Sequence, residues 1–379
     1  MVNNGQPSRT ALMAAAARAA HLLVDDSPAI FADPLARTLL GERAEELLGY
    51  HRSFGEHPLL CGTRTTVTTR SRYTEDRLAA LAARGLDQYV ILGAGLDSFA
   101  YRSELAHPVT VFEVDEPATQ AWKRDLLAST GTAVPPSAVF VPVDFERDGA
   151  RSLTDRLVRA GFDPGRPALV SWLGVTMYLT REAIGRTLAA VSGFAPGSEL
   201  IVEHFLPAEL RDEAGQSYAE MAMAATAEQG EPWRTFLSVE QLDRLLVEHR
   251  LQPVEYVPQR ETLAPADWQR TDALRPLDLP VLARARVPAR QVSQPTAPAE
   301  PWSARSSGAA CGADGGVTAA GSPPSETATG RGPVAGAAVR STPAVGPTSQ
   351  GWLIASPRSQ RDRIATERTN PPDATSMPR

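Results

Sequence analysis

The chain has 379 residues, with 38 Lys and Arg against 44 Asp and Glu and a formal net charge of −6. That balance argues against a general polyanion binder, which presents a basic surplus. Its 42% hydrophobic content can fill the core of one large domain or two ordinary ones. Two cysteines, Cys61 and Cys311, build neither a disulfide framework nor a multi-cysteine metal site, so no metal is expected. Lys123 is the single lysine, which reads as genome composition rather than function. The apolar run 11–17 is interrupted by Arg18 and His21. It is too short for a membrane span and lacks the charged start of a signal peptide. The expectation is a soluble, cytoplasmic protein with no membrane or nucleic-acid partner.

In chain order, residues 11–24 read as a helix with Leu12, Ala16, Ala19 and Leu23 on one face. Further helices are expected over 34–48 and 66–83. Gln88-Tyr-Val-Ile-Leu92 is a continuous apolar run suited to a strand buried on both faces. Strands and helices then alternate: strands at 109–113, 138–143, 168–172 and 199–203, helices at 118–129, 152–160 and after Thr180, its expected N-cap. This alternation predicts an α/β fold, a doubly wound, mostly parallel Rossmann-like sheet with right-handed crossovers and helices placed before it. Residues 206–236 interrupt the pattern with a Met/Ala-rich stretch ending at Glu231-Pro-Trp233, read as a helical lid insertion. Ser238-Val-Glu-Gln241 is a capping box, and 253–257 a late strand.

Composition changes near Val287. Residues 288–379 hold 13 of the 32 prolines and 10 glycines, with nine arginines against six acids and little apolar periodicity. Such a segment buries too little surface to offset its ordering entropy. It is expected to be a disordered tail behind a single domain over 1–287, with Gly351-Trp-Leu-Ile-Ala355 as its only sticky patch.

Chemistry enters where the first strand meets Gly93-Ala-Gly-Leu-Asp97. In an open parallel sheet the ligand lies beyond the carboxyl ends of the strands, where strand order reverses. Gly93 and Gly95 allow a sharp turn and a close approach of backbone N–H groups. Asp115, 20 residues beyond Gly95 at the end of the second strand, suits an acceptor for both ribose hydroxyls. A dinucleotide would need its diphosphate on a helix N-terminus, usually with G-x-G-x-x-G, but Ser98 holds the third position and Asp97 lies in the turn. A carboxylate beside phosphates costs Coulomb energy, whereas beside an ammonium or a sulfonium it is favourable. Asp144-Phe145, ending the third strand, can accept from an adenine amine and stack on the base. S-adenosyl-L-methionine is therefore the expected cofactor and methyl transfer the expected reaction. An NAD(P)-dependent oxidoreductase and a non-catalytic cofactor-binding protein on the same sheet are the alternatives.

Ordered stretches extend this picture: Ser8-Arg-Thr-Ala11, Asp33-Pro-Leu-Ala36, Arg70-Ser-Arg72, Tyr89 through Asp97 and on to Tyr101-Arg102, Phe112-Glu-Val-Asp115, Val143-Asp-Phe145, Ala160-Gly-Phe-Asp-Pro164, Gly174-Val-Thr-Met-Tyr-Leu-Thr180 and Arg270-Thr-Asp272. Over residues 4–286 they resemble the leucine carboxyl methyltransferase family, more narrowly its bacterial branch of S-adenosyl-L-methionine-dependent methyltransferases, which includes polyketide O-methyltransferases. The resemblance implies that Asp115 binds the ribose, Asp144 and Phe145 the adenine, and Gly93 the methionine moiety. It also implies that Arg9 and Arg70 reach the methionine carboxylate, a role that suits a guanidinium fork; Arg72 is a rival to Arg70. One departure stands out: Trp172-Leu-Gly174 replaces the family's Trp-Glu-Gly, so one polar contact is missing.

The acceptor is expected to be a small molecule methylated on a carboxylate or a hydroxyl. A carboxylate is ionised at neutral pH and needs no base. A phenol would be helped by one, and His204, after the fifth strand, is the candidate. Tyr178 and Arg102 could contact an acceptor, and Trp233, Met221 and Met223 suit a lid over an apolar one.

Overall fold

The computed structural model describes residues 8–289. The expected tail, apart from its first two residues, and its sticky patch lie outside the described residues.

Three helices precede the sheet: α1 (Arg9–Val24), α2 (Ala44–Phe54) and α3 (Pro58–Ala82). Ser8 caps α1 by accepting from the Ala11 N–H. The helix expected over 34–48 does not form as one piece. Gly41, at φ 56°, breaks a short 3-10 stretch (Thr38–Arg43), and the α-helix starts only at Ala44. The third helix begins eight residues earlier than expected, with Pro58 in its first turn, where a missing N–H costs nothing. Its threonines remain helical because Thr65, Thr68 and Thr69 donate to carbonyls four residues back.

The sheet has seven strands, β1 (Gln88–Leu92), β2 (Thr110–Asp115), β3 (Ala138–Pro142), β4 (Leu169–Trp172), β5 (Glu199–Phe205), β6 (Gln252–Pro258) and β7 (Pro280–Arg286), in the order β3-β2-β1-β4-β5-β7-β6. β1 to β5 are parallel, whereas β7 runs antiparallel between β5 and β6. The doubly wound expectation is met for the five parallel strands. β7 escaped the sequence pattern, because its apolar residues are interrupted by Arg284 and Arg286. The connecting helices are α4 (Phe99–Arg102), α5 (Pro117–Ser129), α6 (Ala150–Arg159), α7 (Arg181–Val191), α8 (Glu213–Glu228) and α9 (Val239–Glu248). Thr180 caps α7, and Ser238 with Gln241 forms the expected capping box on α9.

Side chains alternate across the strands. Val90, Leu92, Phe112, Val114, Trp172, Leu200 and Val202 pack under α6, α7 and α9. Tyr89, Ile91, Val111, Leu169 and Ile201 pack under α3. The insertion over 206–236 is helical in its α8 part, which lies on α3: Tyr218 packs on Gly62, where a Cβ would stand 2.5 Å from the ring. Among the described residues no helix is long and apolar enough to cross a membrane. Strand order reverses between β1 and β4, so a crevice opens beyond their carboxyl ends.

Candidate active site

β1 delivers the glycine turn to the reversal point. Gly93 has φ +73° and Gly95 φ +47°. A Cβ at Gly93 would lie 2.3 Å from Val175 Cγ2, and one at Gly95 would lie 3.0 Å from the Ala11 Cβ. The turn is thus pressed between the loop after β4 and the first turn of α1, with room for backbone only.

Asp115, at the tip of β2, is buried. Its Oδ2 accepts from the Gly95 N–H at 2.5 Å and its Oδ1 from the Glu116 N–H at 2.6 Å. Burial pushes the carboxyl up to about 6, against those two N–H groups and Lys123. Two residues earlier, on the same face, Glu113 meets Lys123 Nζ at 2.7 Å, each side chain 1% exposed. The single lysine is therefore a buried counterion rather than a surface residue.

Asp97 accepts from the Phe99 N–H at 2.8 Å and so occupies the start of α4, a helix of only four residues. The turn itself rests on a polar layer. Arg18 of α1 donates to Asp33 at 2.8 Å and to the Leu96 carbonyl at 2.6 Å, and Ser98 donates to Asp33 at 2.7 Å. Burial works against the Asp33 carboxylate, yet Arg18, Ser98 and Arg102 hold it below its ordinary value. Arg102, expected on a loop facing an acceptor, instead ends α4. It is locked to Glu75 and Ser98, with its guanidinium over the Phe31 ring.

At the tip of β3, Asp144 Oδ1 accepts from the Glu146 and Arg147 N–H groups. Phe145 is buried beside Trp172, ring centroids 6.4 Å apart. Arg9 begins α1 with an exposed side chain. Its backbone N–H and that of Thr10 donate to Glu231 at 3.0 and 3.2 Å, which ties the end of the insertion to α1. Arg70 projects from α3 onto Gly174 and donates to Glu203 at 2.6 Å. Its rival Arg72 lies at the surface, 44% exposed, paired with Asp76.

The structure buries His204, the candidate base, and sets Tyr178, a candidate acceptor contact, beside an aromatic cluster. His204 is buried, its Nδ1 2.9 Å from the Leu237 carbonyl, and burial pushes its pKa down to about 4. Burial likewise pushes the Tyr178 hydroxyl up to about 12, with Trp233, Thr10 and Glu231 beside it. Tyr178 and Trp233 border an aromatic cluster with Met177, Phe205, Tyr218 and Phe236. Glu203, Glu231 and the Glu113–Lys123 pair were not singled out from the sequence. The available signal was an ionisable residue inside an apolar run, as in Ile201-Val-Glu203.

Residues 11–192 match the leucine carboxyl methyltransferase family. A Bacillus subtilis protein, YktD, named for an inferred S-adenosyl-L-methionine-dependent methyltransferase activity, is 29% identical over 267 residues, 65% of this chain and 86% of that one. A protein of the same description from Mycolicibacterium paratuberculosis is 32% identical over 233 residues, 58% of this chain and 73% of its own length. The matches to Mycobacterium tuberculosis relatives span 65% of their length at 36% identity. Among solved structures, a Thermobifida fusca protein described as a methyltransferase is 20% identical, with a TM-score of 0.49 over 76% of this chain and 97% of that one.

The residues present fit the sulfonium cofactor of this family. The backbone cradle at Gly93 and Gly95 leaves no room for a side chain, and the buried Asp115 carboxylate stands beside it, bonded to the Gly95 N–H. The N-terminus of α4, where a diphosphate would need donors, is filled by Asp97. The chain belongs to the leucine carboxyl methyltransferase family, in its bacterial branch of S-adenosyl-L-methionine-dependent methyltransferases.

Proposed function

We propose that this methyltransferase acts on oxygen of a small molecule, and on a carboxylate before a hydroxyl. The observation that carries this reading is the state of His204 and Tyr178. Burial lowers the His204 pKa to about 4, which makes it a poor proton acceptor, and raises the Tyr178 hydroxyl to about 12, which keeps it protonated. A phenol, with an ordinary pKa of about 10, would need a base to share its proton, whereas a carboxylate is already ionised. The cofactor supplies a methyl group already activated on a sulfonium, so positioning can provide most of the acceleration, with effective molarities of about 10⁵ M or more.

In this reading Asp115 accepts the ribose hydroxyls and Asp144 the adenine amine, with Phe145 beneath it. Gly93 and Gly95 bring backbone close to the thioether, and Arg70, with Arg9 at the start of α1, meets the methionine carboxylate. The aromatic cluster under α8 and the 229–237 segment would shield the acceptor from water, the part expected of a lid. The test uses cofactor carrying a labelled methyl group, with a panel of carboxylic acids and phenols. Methyl esters release volatile labelled methanol in alkali and aryl ethers do not, so alkali-stable product alone would refute the carboxylate assignment.

A further inference from the structure

We propose that Glu203 is a positioning residue for the cofactor's amino-acid end. Its carboxylate, entering from β5, fixes the Arg70 guanidinium against Gly174 so that the rest of the fork faces the methionine carboxylate. This rests on the reading of Arg70 given above.

Glu203 follows Ile201 on the face of β5 that packs under α3, in a strand buried along its whole length. Its side chain is 1% exposed and that of Arg70 15%. One oxygen, Oε2, takes both the Arg70 NH1 donor at 2.6 Å and the Gly174 N–H at 2.7 Å. Gly174 has φ +69°, and a Cβ there would stand 2.6 to 2.9 Å from Arg70 NH1, NH2 and Cζ. The guanidinium therefore lies directly on backbone, and any side chain at 174 would displace it. The neighbouring contact, Gly93 against Val175, places this assembly at the wall of the glycine turn.

Stability does not account for the arrangement. A buried ion pair gives up solvation that its Coulomb attraction rarely exceeds, and apolar replacement of both partners is often neutral or stabilising. Orientation does account for it. An arginine side chain is long and rotamer-rich, and a carboxylate is best met by a preorganised fork. Among the described residues the guanidinium hydrogen-bonds through NH1, to Glu203, which leaves NH2 and Nε for a second carboxylate. Leu173, half-buried against the layer under α3, brings no acceptor to this loop. The carboxylate that binds the Gly174 N–H comes from the adjacent strand instead.

The experiment compares two ligands on the full chain, S-adenosylhomocysteine and 5′-methylthioadenosine, which shares the adenosine thioether but lacks the amino-acid end. Glu203→Ala and Arg70→Ala are each expected to weaken S-adenosylhomocysteine about tenfold or more and to leave 5′-methylthioadenosine within about twofold of wild type. The double variant should bind no more weakly than Arg70→Ala alone, because Glu203 acts through Arg70. Glu203→Gln, which keeps the shape and an acceptor, should lie between wild type and Glu203→Ala, and it serves as the test if the alanine variant does not fold. Equal weakening of both ligands by the Glu203 variants, or additive losses in the double variant, would overturn the proposal. An Arg70→Ala variant that binds both ligands like wild type overturns the reading of Arg70 itself. A Glu203→Ala variant indistinguishable from wild type beside an impaired Arg70→Ala overturns the role of Glu203 alone.

Discussion

The Gly95 amide donates to the Asp115 carboxylate at 2.5 Å, so the glycine turn and the acid 20 residues beyond it are bonded to each other as one unit. The carboxylate pays for its burial with a raised pKa of about 6. Cofactor affinity should therefore depend on pH. In the proposed reading ionised Asp115 would accept both ribose hydroxyls, whereas protonated Asp115 must donate at one oxygen. Affinity for S-adenosylhomocysteine is expected to fall as pH drops through about 6, approaching tenfold per unit below it. Asp115→Asn should bind about tenfold more weakly at pH 7 and respond far less to pH. The stability contribution of this group runs the other way. Its folded pKa lies above the unfolded value, so the native state gains stability relative to the unfolded chain as pH falls from about 6 toward about 4. Calorimetric titration and melting curves over pH 5 to 8 check both signs.

Gly93→Ala should be costly for two separable reasons. The residue sits at φ +73°, and its new methyl would stand 2.3 Å from Val175 Cγ2. Crowding and backbone strain together predict a loss of about 2 kcal/mol or more. Adding Val175→Ala should restore the part due to crowding and leave the backbone part. Thermal melting of the single and double variants separates them.

The Glu113–Lys123 pair predicts strong asymmetry between single and double replacement. Burial pushes the Glu113 carboxyl up even with Lys123 beside it. Lys123→Met strands that acid in the core and should cost about 3–5 kcal/mol, whereas Glu113→Leu with Lys123→Met should recover most of it. Urea midpoints of wild type and the two variants test this.

If His204 is structural, His204→Gln keeps methyl transfer within about threefold of wild type, because no proton transfer is lost. The variant should also be less acid-sensitive. A histidine held at about 4 in the native state and about 6.5 when unfolded loses up to roughly 3 kcal/mol of stability as pH falls from about 6.5 to about 4. His51, depressed to about 4 by burial and then by Arg64, adds a loss of the same sign that remains in the variant. A large fall in turnover at constant stability would return His204 to the list of bases.

Local order in the chain was enough for the parallel half of the sheet. Runs such as Gln88–Leu92 and the caps at Thr180 and Ser238 depend on neighbouring residues, and the structure reproduces them. The break at Gly41 and the strand at Pro280–Arg286 were not legible, because one depends on a single backbone angle and the other on an antiparallel partner supplied by β5.

From sequence alone came the glycine turn, the acids at successive strand ends and hence the charge of the ligand, since these depend on residue type and on the rise of a strand. Tertiary structure decided which charges are used up. Arg102 and Arg72 looked available in the sequence, yet Glu75 and Asp76 engage them. Glu203 passed unnoticed in an apolar strand but holds Arg70 across 133 residues of chain. Pairing of this kind is set by which elements pack together and by the cost of leaving a buried charge unmatched, and neither can be read from spacing.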